Sequence, residues 1–286
     1  SAATDTGTFE LSVAQSELWL AQQLHPIVPF SVSQYIDLHG PLDTGLLQHC
    51  LRRAGRELQS PYVRFAVGGG QPRQYLDHDL DTGFLHLDVS SQGDPDRAAW
   101  EWMDLDRHVG IDLSGSDVTR TVLFTLGPDR HRWYARSHHL VLDGFGAANI
   151  LQRTAELYSA AIEERTAPPS RAMALTEIVA AEHQYRSSSR FVADCEYWGS
   201  HLVGLDRVTR LTDRYAAPSA RPHLSRATID PAAMTRLDFA AIRYGTGVAE
   251  VLVAAIAGFL AQMTGDRDVT VSLPVAARTT GALRRS

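Results

Sequence analysis

The chain has 286 residues, a formal net charge of −6, 44% apolar residues and 21% charged ones. That describes a globular chain long enough to bury a sizeable core; it excludes bulk disorder and lacks the basic surface of a general nucleic-acid binder. All 27 basic residues are Arg, so neither a Schiff-base lysine nor a lysine-bearing phosphate loop can operate here.

Apolar residues at helical spacing over Leu11–Leu24 predict a first helix, closed by Pro26 and Pro29. Val32–Leu38 alternates as a strand, and Asp43 can cap a helix running to Leu58. Tyr62–Ala66 and Gln74–Leu76 read as short strands around Gly68-Gly69-Gly70, with a further strand at Phe84–Val89 and a helix at Ala98–Arg107. Val118–Leu126 and Arg132–Ser137 are β-rich and separated by Gly127-Pro128-Asp129, a hairpin signal. A long helix is expected over Phe145–Glu164, then a Pro-rich linker at Thr166–Ser170 and helices at Thr176–Ser187 and Arg190–Leu202.

Leu205–Pro222 is polar and Arg-rich and reads as an exposed crossing segment. A strand at Leu224–Ile229 leads to a helix capped by Asp230. Val248–Leu260 reads as part of a buried helix, because it is too short and too interrupted to span a bilayer, and Asp268–Leu273 as a buried strand. Interleaved strands and helices indicate α/β layers. Two cysteines, Cys50 and Cys195, are too few for a disulfide framework or a zinc site and read as buried free thiols. The five tryptophans, from Trp19 to Trp198, read as core. The opening residues carry no basic stretch followed by an apolar run, so a cytoplasmic location is expected by default.

The densest chemistry lies in Ser137-His138-His139-Leu140-Val141-Leu142-Asp143-Gly144, between a predicted strand and a predicted helix. Such turns project side chains into the crevice at a sheet's end. Adjacent histidines on an extended segment point to opposite faces, so one can face a cavity while the other packs. Asp143 can orient an imidazole or pair with an Arg. Gly144 lets a ligand approach the backbone, and the amides opening the helix can stabilise developing negative charge. Three readings stand side by side: a general base at His139 taking a proton from an amine or hydroxyl, a metal site from His138, His139 and Asp143, or a structural His pair. Adjacent histidines rarely converge on one ion, and no third ligand has obvious spacing.

HHLVLDG resembles the HHxxxDG signature of the condensation domains of nonribosomal peptide synthetases, in the chloramphenicol-acetyltransferase-like superfamily. Other segments follow in that family's order. Leu11–Trp19 resembles the opening SxAQxRLW motif, with Glu17 where Arg is usual. Arg52–Phe65 resembles the RHExLRTxF region loosely, retaining Arg64 and Phe65. Glu182–Trp198 resembles the helical region ending in Tyr-Trp, and Asp266–Arg278 the DVxVGxPVxxR segment, with Ser272 at the usual Gly. The resemblance implies an α/β, chloramphenicol-acetyltransferase-like two-lobe sandwich with a mostly antiparallel or mixed sheet. It places a complete N-terminal lobe at residues 1–170 and linking helices with the start of a C-terminal lobe at 171–286, the remainder of that lobe lying beyond Ser286.

It also implies an activity: amide-bond formation between an acyl or peptidyl thioester on an upstream donor carrier protein and an aminoacyl group on a downstream acceptor carrier. The site would lie between the lobes, and such a fragment would be inactive alone. No cofactor or metal would be bound by the domain itself; phosphopantetheine arms belong to the partner carriers, and an adenylation domain would be a neighbour. Alternatives within the superfamily are an epimerisation domain or an ester-forming acyltransferase; outside catalysis, a carrier-docking module. The resemblance makes His139 the catalytic residue, as base or as positioner of the amine. It makes Gly144 the donor of an amide near the acyl carbonyl, His138 a packing residue, and Asp143 a structural partner of an Arg, for which Arg278 is the match. Arg64 can support the site, while Ser12, Gln15 and Trp19 are structural.

Overall fold

The structure, a computed structural model, describes residues 7–80, 82–113, 118–205, 208–219, 221, 225, 227–273, 275 and 283. These residues form two compact units, one comprising essentially Ser1–Ser188 and the other Ser189–Pro218 with Pro222–Ala276.

The first unit begins with a two-residue strand, β1 (Phe9–Glu10), and helix α1 (Val13–Leu24). Ser12 and Gln15 make a reciprocal capping box at the start of α1. Strand β2 (Ser31–His39) leads to α2 (Thr44–Leu58), capped by Asp43, whose side chain accepts from the Leu46 amide. A 3₁₀ turn at Ser60–Tyr62 precedes β3 (Val63–Gly68) and β4 (Gln71–Leu76). Their two-residue connection, Gly69-Gly70, has both φ angles positive, at 60° and 79°. Glycine adopts that conformation without cost, and it matches the twist of a hairpin. Then follow β5 (Phe84–Asp88), α3 (Pro95–Asp106), β6 (Thr119–Gly127), β7 (Arg130–His138), α4 (Gly144–Ile162) and α5 (Leu175–Arg186).

The strands make two sheets. β1-β4-β3 is antiparallel. β2-β7-β6-β5 is mixed, with β5 parallel to β6 and the other pairs antiparallel. The mixed sheet is covered on both faces, which explains why its central strand β7 is buried almost throughout. On one face, Trp133 and Leu123 pack with Leu47 of α2 and Leu151 of α4. On the other, Tyr134, Val122 and Phe124 pack with Ala99 and Met103 of α3. The alternation of β7 therefore sends odd positions to α2 and α4 and even positions to α3. The long helix α4 packs on α2 through Leu157 against Cys50 and Ala54, and its buried residues recur at helical spacing from Gly146 to Ala160.

Three charged or polar side chains of the α3 face converge on Asp106 at the end of α3. Arg136 Nε lies 3.0 Å from its carboxylate, Arg120 donates to it at 2.8 Å and the Tyr134 hydroxyl at 2.9 Å. Arg136 also donates to the carbonyls of Asp106 and Val109. Burial, reinforced by the adjacent carboxylate, pushes the Tyr134 phenol well above its usual range, so it acts as a donor throughout.

The second unit contains α6 (Ser189–His201), α7 (Pro231–Tyr244, capped by Asp230) and α8 (Val248–Thr264), with irregular chain between α6 and α7. Four expectations need correction here. Cys195 is exposed, whereas Cys50 is buried as expected. Trp198 is 60% exposed. Helix α8 forms where expected but buries none of its residues. Asp268–Leu273 carries no strand and is not buried. One reason covers all four: apolar spacing says which side of an element can be buried, not whether another layer covers it. A strand also needs a neighbour to complete its ladder, and among the described residues none pairs with this segment. The strand expected at Leu224–Ile229 falls partly outside the described residues, and 227–229 are irregular. No single helix among the described residues is long and apolar enough to cross a membrane.

Candidate active site

The HHLVLDG segment is a strand-turn-helix, as its composition predicts. β7 ends at His138, the chain turns through 139–143, and α4 begins at Gly144. The turn is closed locally by the His138 carbonyl, which accepts from the Val141 amide at 3.0 Å and from Leu142 at 3.2 Å. The side chains of Leu140, Val141 and Leu142 enter a core cluster with Val63, Phe65 and Ile150. These three apolar residues anchor the turn from below, so the polar residues on either side of them are held in place.

The two histidines take different environments. His138 is fully buried. Its Nδ1 accepts from the Leu140 amide at 3.0 Å, and its Nε2 lies 2.9 Å from Gln22 Oε1. Both ring nitrogens are engaged within the protein, so His138 cannot join His139 and Asp143 as a metal ligand without losing them. No group of three His, Cys, Asp or Glu side chains suited to a metal ion occurs among the described residues. Burial, with a smaller effect of His139, lowers the His138 pKa to about 4.

His139 is half-buried, and its backbone amide donates to the Phe30 carbonyl at 2.8 Å. Burial lowers its pKa below the ordinary 6.5; the Asp143 carboxylate and a hydrogen bond to the Leu142 backbone oppose that shift. A neutral imidazole at neutral pH, partly open to solvent, can accept a proton.

Asp143 is the N-cap of α4, its carboxylate accepting from the Gly146 amide at 2.7 Å. Arg278, its expected partner, lies outside the described residues. Gly144 is exposed at the first position of α4, where backbone amides have no intrahelical acceptor. A Cβ at Gly144 would meet nothing within 4 Å. Packing among the described residues therefore does not require glycine there. Gly146, two residues on, is different: a Cβ there would come within 2.8 Å of Leu142 Cδ1. Arg64 is buried in β3, donating to the Val63 carbonyl.

Two features escaped the sequence reading. Gln15, read as structural, and Gln22, not singled out, both reach the turn from α1, Gln15 donating to the Leu140 carbonyl at 2.9 Å. A cavity also lies between the sheet and α2/α4, lined by Leu51, Trp133, Leu142, Ala147 and Ile150. Among the described residues, Trp133 Nε1 and Thr119 Oγ1 border it without a hydrogen-bond partner. No local pattern signals either feature, because each joins residues far apart in the chain.

Two expected results follow. Asp143→Ala removes the α4 cap and costs about 1 kcal/mol of stability, whereas Asp143→Asn stays within a few tenths; urea denaturation of both variants checks this, and equal losses would contradict the capping role. The second concerns acid. His138 has a pKa of about 4 when folded and about 6.5 when unfolded, so the unfolded chain binds its proton first. Stability is full above pH 6.5 and declines as pH falls toward 4, by about 3 kcal/mol from this group alone. Denaturation midpoints across that range, compared with those of His138→Asn, measure the contribution; parallel profiles would contradict it.

A protein-family model described as the condensation domain matches residues 5–286. A dimodular nonribosomal peptide synthase of Bacillus subtilis (strain 168) is 33% identical over 271 residues, covering 94% of this chain and 11% of that protein. An isonitrile lipopeptide synthase of Streptomyces coeruleorubidus is 32% identical over 275 residues, covering 94% of this chain and 18% of that protein. Among solved structures, a doubly substituted variant of the starter condensation domain of rhizomide synthetase, in complex with C8-CoA and Leu-SNAC, superposes with a TM-score of 0.89 at 30% identity, over 98% of this chain and 63% of that one. The first condensation domain of the calcium-dependent antibiotic synthetase, in complex with a substrate analogue, gives a TM-score of 0.88 at 30% identity, over 99% and 67%. The chain thus spans a small part of the curated relatives and about two thirds of the solved domains.

Proposed function

The chain belongs to the condensation-domain family of nonribosomal peptide synthetases, and from that premise we propose that it forms amide bonds between two carrier-bound substrates. The donor is an acyl or peptidyl thioester on an upstream carrier protein, and the acceptor is an aminoacyl group on a downstream one. Phosphopantetheine arms of the carriers bring both, and an adenylation domain supplies the acceptor carrier. The neighbour bound to C8-CoA and Leu-SNAC holds an acyl thioester and an aminoacyl thioester, the same pair of reactant types.

The observation that carries this reading is the half-buried, neutral His139 beside the open N-terminus of α4, on a turn whose other residues are anchored. The acceptor amine attacks the thioester carbonyl and a C–N bond forms. His139 takes the proton that the amine loses. The Gly144 amide, at the positive end of α4, faces the oxygen on which negative charge develops. The C–S bond then breaks, and the departing thiolate receives the proton from His139. A thioester is already activated, so the main contribution of the protein is to align two tethered reactants. Asp143 steadies the imidazolium that forms transiently, as its charge effect on His139 indicates. His138 remains a packing residue, and we keep the pairing of Asp143 with Arg278 as part of this proposal.

The test loads donor and acceptor carriers with defined thioesters and follows the acceptor-bound product by mass spectrometry. Transfer of the acyl group to the acceptor amine supports the reading. Donor hydrolysis alone, or transfer to a hydroxyl but not to an amine, would replace it.

A further inference from the structure

Helix α1 carries glutamines at positions 15 and 22, seven residues and about two turns apart, which places them on one face of the helix. Both point at the His138–Leu140 turn. Gln15 Nε2 donates to the Leu140 carbonyl at 2.9 Å and is itself held by Gln74, which is fully buried in β4. Gln22 Oε1 lies 2.9 Å from His138 Nε2. The orientation of the Gln22 amide is set by its other end, whose Nε2 faces the carbonyls of Pro26 and Val28 at 3.5 and 3.4 Å. That leaves the oxygen for the histidine.

These partners dictate the state of His138. The Leu140 amide can only donate, so Nδ1 must hold a lone pair. Gln22 Oε1 can only accept, so Nε2 must hold the proton. A protonated His138 would carry hydrogen on both nitrogens, and its Nδ1–H would oppose the Leu140 N–H. The bond that shapes the turn cannot survive that charge.

We propose that Gln22 is a positioning residue of the active site: by accepting from His138 Nε2–H it locks that ring as one neutral tautomer, which keeps the turn closed and leaves His139 as the imidazole of the pair that takes the proton of the attacking amine. This rests on the reading of His139 as the proton acceptor. The fully buried position of His138 and its lowered pKa agree with it. The charged groups acting on the pair are His139 toward His138 and Asp143 toward His139. The elements packed against it contribute uncharged partners: Gln15 and Gln22 from α1, the Phe30 carbonyl ahead of β2, and the Val118 carbonyl ahead of β6.

The experiment is imidazole ¹⁵N NMR of the labelled 286-residue chain across pH, with carrier-loaded turnover of the same variants measured in the full-length synthetase. It compares the wild type with Gln22→Glu, which keeps the shape but supplies an anion, and Gln22→Met, which removes the acceptor. In the wild type, His138 should show its proton on Nε2 and no titration above pH 5. Gln22→Glu should raise the His138 titration by roughly 2 pH units, because an anion now favours the charged ring, and should move the acid limb of turnover upward by about one unit or more. Gln22→Met should lower kcat roughly tenfold with KM little changed, and Gln22→Asn should recover part of it. A His138 proton on Nδ1, a His138 titration near 6.5 in the wild type, or a titration unmoved by Gln22→Glu would overturn the inference whatever the turnover. The expected NMR behaviour with no amide product from any variant would instead overturn the catalytic reading of His139.

Discussion

His139→Ala is expected to reduce amide formation between loaded carriers by about 10²–10⁴-fold, the usual range for loss of a positioned proton acceptor. The same change should leave stability within about 1 kcal/mol, because the ring is half-buried and gives up only its hydrogen bond to the Leu142 backbone. His139→Gln separates the two roles the residue can play. A glutamine can hold an amine by hydrogen bonding but cannot take its proton. If His139 is the base, Gln behaves like Ala. If it only positions the amine, Gln retains most of the turnover.

The pH profile adds a second test. Burial lowers the His139 pKa beneath 6.5, and the neutral ring is the active form. Turnover should therefore hold through neutrality and fall only as pH drops below 6.5. An acid limb centred above 6.5 would contradict the environment seen here.

The largest expected effect on stability lies elsewhere, at Asp106. Its carboxylate is 3% exposed and faces Arg136, which is 2% exposed, with Arg120 and the Tyr134 hydroxyl completing the cluster. Asp106→Ala leaves the Arg136 charge buried with only carbonyl partners and should cost about 3–5 kcal/mol. The control is Glu101→Ala, which breaks an exposed ion pair with Arg97 on the same helix and should change stability by less than about 1 kcal/mol. Chemical denaturation followed by tryptophan fluorescence suits both, because Trp100 and Trp102 sit on α3 itself. A loss at Asp106 no larger than at Glu101 would show that the cluster contributes little.

Much of this molecule is legible along the chain because many of its devices are local. Asp43 and Asp230 each cap the helix that begins at the next residue, as their positions predict, and Asp143, read as an imidazole or Arg partner, caps α4 in the same way. The hairpin at Pro128-Asp129 and the Gly69-Gly70 turn follow from the backbone preferences of two residues. Adjacent positions on a strand must face opposite ways, so the separation of His138 from His139 was readable before any packing was known. The two-residue strand β1 was not readable, because it exists only through pairing with β4.

By itself, then, the sequence determined the α/β class, the run of elements from α1 through α5, the strand-turn-helix that presents His139 and Gly144, and, by resemblance, the family. These depend on propensity, capping and periodicity within a few residues. The tertiary structure alone decided which groups across the chain hold that turn: Gln22 against His138 over 116 positions, and Gln15 against Leu140 over 125. It alone decided that Cys50 is covered while Cys195 is not, and that α8 keeps its apolar residues unburied. Burial and long-range hydrogen bonds belong to pairs of elements brought together by folding. One element's own pattern states what it can offer to a neighbour, and the neighbour is chosen by the fold.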